Sequence, residues 1–296
     1  MYHGVSKNKY LKSPKHLSYD LFRAQLIKLK QHYEFTSIDN LTGLLSNKAI
    51  KNPLLAITFD DGYKNNYSAA AEILDDLGLP ATFFISTGYI GTNKWMWTDL
   101  VEYSIMSSKQ DSVKISDLGI ELPLSAPGNK ALAISSIKSL LKSKDFYQTQ
   151  SLVEGFSKSL LGSDYVDPFD DYQFMSWDDI KELSRAPFAI GAHTVNHPIL
   201  TNVSQSIAEQ EILNSRDDII NHIGTCSKTF CYPNGKITDY NQAIMNFTSL
   251  HFDSAISTVY GYARADEMYQ LRRVGVSNSL GCNKLFRRVA NLTYGT

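Results

Sequence analysis

The chain has 296 residues, 43% of them hydrophobic and 20% charged, with a formal net charge of -1. That balance suits a globular protein long enough for a sizeable core, and it excludes the basic footprint of a nucleic-acid or anionic-membrane binder. Three cysteines without a C-x-x-C pair argue against a disulfide framework and fit a reducing compartment. The first residues carry no apolar signal core, and no apolar run approaches the length of a transmembrane span, so a cytoplasmic location is expected, with peripheral contact at the inner membrane compatible with it.

In chain order, residues 19–32 place Leu21, Phe22, Leu26, Ile27 and Leu29 at helical spacing behind Ser18 as N-cap. Residues 54–59 read as a buried strand that runs directly into Asp60-Asp61-Gly62. Residues 65–77 read as a helix closed by Gly78, and residues 81–86 as the next strand. This alternation predicts an α/β fold with a largely parallel sheet. From about residue 95 to 174 the rhythm stops. Helix-like stretches at 100–106, 131–141 and 148–161 mark a helical insertion, or equally a small helical subdomain apart from any active site. Alternation then resumes with a helix at 176–183, strand 188–192, helix 206–223, strand 229–232, helix 240–247, strands 254–256 and 271–276, and a final helix at 283–290.

Two adjacent carboxylates at the end of a core strand are costly to bury unless they have a task. One can bind a metal while its neighbour moves a proton. His193-Thr194-Val195-Asn196-His197 follows the 188–192 strand. On a helical turn, spacing i, i+4 puts both imidazoles on one face, where they can share a metal. With one carboxylate they form a set that leaves positions open for water and substrate, which marks a catalytic centre. Taken alone, the pair reads more readily as two cap or surface histidines; the Asp-Asp-Gly strand end favours the metal. The segment Phe230-Cys231-Tyr232-Pro233-Asn234-Gly235 reads as an ordinary turn at a strand end, or as a loop whose backbone N–H groups serve as an oxyanion hole. Trp95 and Trp97 open the insertion, either to stack on a ring of the substrate or to anchor the insertion itself.

These segments resemble the motifs of the polysaccharide deacetylases, carbohydrate esterase family 4 with its NodB-homology domain. Thr58-Phe59-Asp60-Asp61-Gly62 is similar to the family's first motif, His193 to His197 to its second, and Tyr232-Pro233-Asn234-Gly235 to a variant of its third. The resemblance runs from about residue 3 to 276, with the helical insertion outside it. It implies a distorted (β/α)7-type barrel and one catalytic domain over residues 1–296. It implies Asp60 as general base, and Asp61, His193 and His197 as ligands of a divalent metal: zinc, with cobalt, nickel or manganese as alternatives. Thr194 would orient the second-motif turn. The Tyr232 backbone N–H would hold the oxyanion, with Tyr232 and Pro233 lining the substrate site.

The third motif here lacks the arginine many members carry, and no late Leu-x-His follows His251, the last histidine. The permuted branch that includes poly-N-acetylglucosamine deacetylases is similar at both points, through Tyr2-His3-Gly4-Val5 and Leu271-Arg272-Arg273-Val274. That likeness implies His3 as general acid and Arg273 as partner of Asp60. The activity implied is removal of N-acetyl groups from an amino sugar, in an N-acetylated sugar, oligosaccharide or lipid-linked glycan precursor. A deformylase, another amidase, an O-acetyl esterase on the same fold, and an inactive carbohydrate-binding protein are the alternatives.

Overall fold

A computed structural model describes residues 1–8, 13, 15–185 and 187–294. The chain forms two units, Met1–Thr92 with Gln173–Thr296, and Asn93–Tyr172.

The first unit begins with β1 (Gly4–Ser6) parallel to β2 (His16–Ser18), followed by α1 (Tyr19–Lys30). Ser18 caps α1 as expected, its hydroxyl accepting from the Leu21 N–H. Next come β3 (Glu34–Phe35), α2 (Ile38–Ser46) and β4 (Leu54–Leu55). The expected 54–59 strand is divided: β4 pairs with β3, while β5 (Ile57–Phe59) pairs with a later strand. The chain changes partner at Ala56, which a hydrophobic run cannot reveal. After β5 a π-helical segment (Asn66–Ala70) continues into α3 (Ala71–Leu77), which ends at Gly78 in the left-handed region (φ 62°). β6 (Ala81–Ile85) closes this β-α-β unit.

The second unit contains α4 (Trp97–Ser107), the antiparallel pair β7 (Ser112–Ile115) and β8 (Ile120–Pro123), α5 (Asn129–Leu141) and α6 (Phe146–Leu161). Its three helices match the expected stretches, and the hairpin is an addition. In its interior Trp95 stacks on Tyr103 at 5.1 Å, packs against Tyr172 at 5.1 Å, and donates its indole N–H to the Val166 carbonyl.

The first unit resumes with α7 (Trp177–Leu183), started by a capping box between Ser176 and Asp179. Then follow β9 (Phe188–Ala192), α8 (Gln205–Ile223), β10 (Thr229–Cys231), α9 (Gln242–Ser249), β11 (Ser254–Tyr260), β12 (Leu271–Arg273) and α10 (Cys282–Tyr294). The parallel ladders are ordered β5-β6-β9 and β10-β11-β12. Parallel neighbours need crossover connections, and the intervening helices provide them. The result is a mixed α/β fold. Among the described residues the ladders form small sheets and no closed barrel. Closure needs a continuous hydrogen-bonded circuit, whereas several strands here are three residues long and the β11–β12 register shifts between Ile256 and Tyr260. Met1 and Tyr2 bridge β5 and the chain after β12. Tyr2 donates to the Thr58 carbonyl and accepts from the Asp60 N–H, while Met1 bonds Val274 and Val276.

Under the strand ends sits an aromatic core. Phe59 stacks between Tyr2 (5.5 Å) and Phe83 (5.0 Å), and Phe22 meets it edge-on at 5.7 Å. Phe22, Phe59 and Phe83 are fully buried. Each contributes about 2–3 kcal/mol by removal from water, so the strand that delivers the paired acids is also among the best anchored. Among the described residues no helix is long and apolar enough to cross a membrane.

Candidate active site

Asp60 and Asp61 leave the end of β5, and both are 2% exposed. Asp61 takes a left-handed conformation (φ 80°), followed by Gly62 (φ 96°). This reversal turns the Asp61 carboxylate toward β9. There His193 and His197 present their Nε2 atoms 3.5 and 3.3 Å from Asp61 Oδ1. The two rings meet edge-to-face with centroids 4.9 Å apart. They are not on a helix, contrary to the expectation from their spacing. Thr194 (φ 64°) and His197 (φ 60°) are both left-handed, and the pair is brought together by a tight turn. Thr194 Oγ1 donates to the His193 carbonyl and accepts from the His197 N–H, pinning that turn. Left-handed non-glycine residues, above all a β-branched threonine, persist only where their surroundings over-determine them.

The chemistry of these donors fits a metal. His193 Nδ1 lies 2.7 Å from the Cys231 carbonyl, which can only accept. Nδ1 therefore donates to that carbonyl, and Nε2 is the atom that faces the Asp61 carboxylate. Burial opposes charge on the ring, but its contacts with Cys231 and Asp61 hold the His193 pKa well above 6.5, so a metal would bind here by displacing the Nε2 proton. Burial holds His197 below its ordinary pKa against the pull of Asp61, so this ring is a neutral donor near pH 7. One ligand atom from each of the three groups converges on a point where a cation could replace the protons that now join them. A tetrahedral zinc with ligand bonds of about 2.1 Å has donor–donor edges of about 3.4 Å, close to the two Asp61 separations of 3.3 and 3.5 Å.

Asp60 faces the other way. Arg273, at the end of β12, grips it with two hydrogen bonds of 2.8 Å, Nη1 to Oδ1 and Nη2 to Oδ2. The guanidinium is itself oriented by the Ser257 carbonyl (2.7 Å), Thr58 Oγ1 (3.2 Å) and Cys231 Sγ (3.4 Å). Burial opposes ionisation of Asp60, but the charge and hydrogen bonds of Arg273 outweigh it and bring the carboxyl down to about 2. His3 is half-buried and follows Tyr2, whose carbonyl accepts from the Asp60 N–H. Burial lowers the pKa of His3 below 6.5, while the Asp61 and Asp60 carboxylates act in the opposite sense. A buried, ionised carboxylate locked by arginine beside a metal-type ligand set, with an imidazole in electrostatic reach, has the parts for hydrolysis.

The family model for polysaccharide deacetylase matches residues 47–122 and 133–252. The chain belongs to the polysaccharide deacetylase family. The match takes in both aspartates, both histidines and the Cys231–Gly235 loop; His3 and Arg273 lie outside it. No curated protein matches the chain significantly. Among solved structures, the deacetylase PplD of Streptococcus pyogenes, solved with acetate, has TM-score 0.64 at 18% identity, over 98% of this chain and 96% of that one. IcaB from Ammonifex degensii gives 0.64 at 16% identity, covering 97% of this chain and 94% of its own. A de-N-acetylase from Aggregatibacter actinomycetemcomitans gives 0.58 at 15%, with 97% of each chain covered. These likenesses show a shared fold.

Several expected residues stand differently in this member of the family. The Tyr232 N–H donates to the Ile256 carbonyl at 3.2 Å, as part of the contact between β10 and β11, so it is not available as the oxyanion donor. The Tyr232 ring is fully buried and stacks on Tyr240 at 4.2 Å, and Pro233 is buried behind it, so neither lines a substrate surface. Trp95 is 7% exposed with its ring faces against Tyr103 and Tyr172, and Trp97 is buried at the start of α4. Both serve as core of the helical unit, not as sugar platforms. The residues that hold Arg273 escaped the sequence reading. Cys231 read there only as a strand residue. It sits between the two halves of the site, its carbonyl on His193 and its sulfur on Arg273. Burial pushes its thiol up, so the sulfur is neutral there.

Proposed function

We propose that this chain is a metal-dependent N-deacetylase that hydrolyses the acetamide of an amino sugar in a glycan, on the permuted plan in which residues near both chain ends complete the site. The two three-stranded parallel sheets, linked on one side through Met1 and Tyr2, are in this reading the distorted (β/α)7-type barrel of the family, with the helical unit as an insertion in one catalytic domain. The observation that carries the proposal is the Asp60–Arg273 pair directly beside the Asp61–His193–His197 ligand set.

Asp61, His193 and His197 hold the divalent metal, zinc by donor type. When bound, the metal polarises the amide carbonyl and acidifies a water. Asp60 accepts the proton of the attacking water. Arg273 keeps that carboxylate ionised and fixes its plane, because a bidentate guanidinium leaves it little freedom to turn. His3 delivers a proton to the departing amine. Its burial makes it a stronger acid than a free imidazole, which favours transfer to an amine.

The test is product analysis of the protein incubated with zinc and N-acetylglucosamine oligosaccharides. Acetate and free amine should form in equal amounts, and both should vanish in His193→Ala. Release of acetate only from O-acetylated sugars, or of formate from N-formyl sugars, would replace this reading with the esterase or the deformylase.

A further inference from the structure

We infer that Glu211 is the positioning residue of the metal-binding turn, which rests on the metal reading of Asp61, His193 and His197. Glu211 lies on α8 and is 5% exposed. Its Oε2 accepts from the backbone N–H groups of Val195 (2.9 Å) and Asn196 (2.8 Å), and its Oε1 accepts from Asn196 Nδ2 (2.7 Å). All three donors belong to the two residues between Thr194 and His197.

A buried carboxylate is tolerated when charge-assisted hydrogen bonds satisfy it, and here every such bond comes from the ligand turn. The two histidines depend on that turn unequally. His193 follows β9 directly, its N–H bonds the Ile85 carbonyl, and its ring is held by the Cys231 carbonyl. His197 lies beyond the left-handed Thr194, is itself left-handed, and donates its N–H to Thr194 Oγ1. Glu211 fastens the peptide units that separate the two. Without it, two inward N–H groups lose their acceptor, the strained turn relaxes, and His197 Nε2 withdraws from Asp61. The effect should therefore fall on metal affinity through one ligand, and groups that orient metal ligands typically account for about 10–100-fold in affinity. Glu211 is in phase with Ala208, Ile212, Ser215 and Ile219 on the inward face of α8, an acid in an otherwise small and apolar stripe.

The test is zinc affinity of the full chain by chelator competition, read beside the metal-free melting temperature and the cobalt absorption spectrum. Glu211→Ala should weaken zinc 10–100-fold and alter the cobalt spectrum. Glu211→Gln should stay within a few-fold of the parent, because its amide oxygen can take the Oε2 bonds while Asn196 reverses its own amide. Ile219→Ala, a fully buried position of α8 away from the turn, should lower the melting temperature without changing zinc affinity. Should Glu211→Ala fail to fold, Glu211→Asp keeps the charge but draws it back by one methylene, and should still lose at least 10-fold. Parent-like zinc binding by both Glu211→Ala and Glu211→Asp, or an equal loss in Ile219→Ala, overturns the inference. The metal reading is judged separately, on whether the parent binds zinc and His193→Ala does not.

Discussion

The two halves of the candidate site are built by opposite means. The ligand half comes from two strands of one sheet, on either side of β6, and from a turn held by chain close to it in sequence: Asp61 follows β5, the histidines follow β9, Thr194 bonds both of them, and Glu211 of the following helix accepts from the peptides between. The base half is assembled from distant chain. Asp60 is clamped by Arg273, 213 positions away, and flanked by the first residues of the sequence. A half made from short-range turns can keep its geometry with only local support. A half made from a buried ion pair across the ladder order is tied to the stability of the whole unit.

The sharpest test of this division is Asp60→Asn, which should remove the general base and nothing from the ligand set. Turnover should fall about 1,000-fold, or about 4 kcal/mol of transition-state stabilisation, while zinc affinity stays within a few-fold. Parallel loss of zinc in that variant would show that the halves are one unit. Arg273→Met comes next. It strands the Asp60 charge in the interior, and breaking a buried pair costs about 3–5 kcal/mol, measurable in denaturant unfolding of the metal-free protein. A variant as stable as the parent would mean that the clamp has no energetic role. The smallest effect is in acid. Asp60 has a folded pKa of about 2, below its ordinary 3.8. Its contribution is therefore fully present above pH 3.8 and is lost as pH falls through about 2. That amounts to about 2 kcal/mol, seen as the difference between parent and Asp60→Asn in unfolding free energy over that window.

The same division explains what could be read in advance. The 188–192 strand was legible to the residue, as were the Ser18 and Ser176 caps, because apolar period and capping chemistry act within a few residues. The break at Ala56, the β7–β8 hairpin and helix α2 were not, since they depend on strand partners or on weak local patterns. The histidine spacing pointed to the right pair for the wrong geometry: a turn with two left-handed residues brings them together in place of a helical face. Trp95 shows the reverse. Its aromatic character left a sugar platform and an anchor of the insertion both open, and the packing against Tyr103 and Tyr172 makes it the anchor.

By itself the sequence determined the α/β class, most of the helices and strands, and the identity of the acids and histidines that converge, because each is encoded in hydrophobic period or short spacing. The tertiary structure alone decided that the Tyr232 N–H is engaged by Ile256 and that Glu211 holds the ligand turn, and it supplied the contact of Arg273 with Asp60 that the family resemblance had implied. Those outcomes rest on which backbone groups and buried charges find partners across the fold. A buried polar group takes the nearest partner of suitable chemistry in space, and distance along the chain does not predict which one that is.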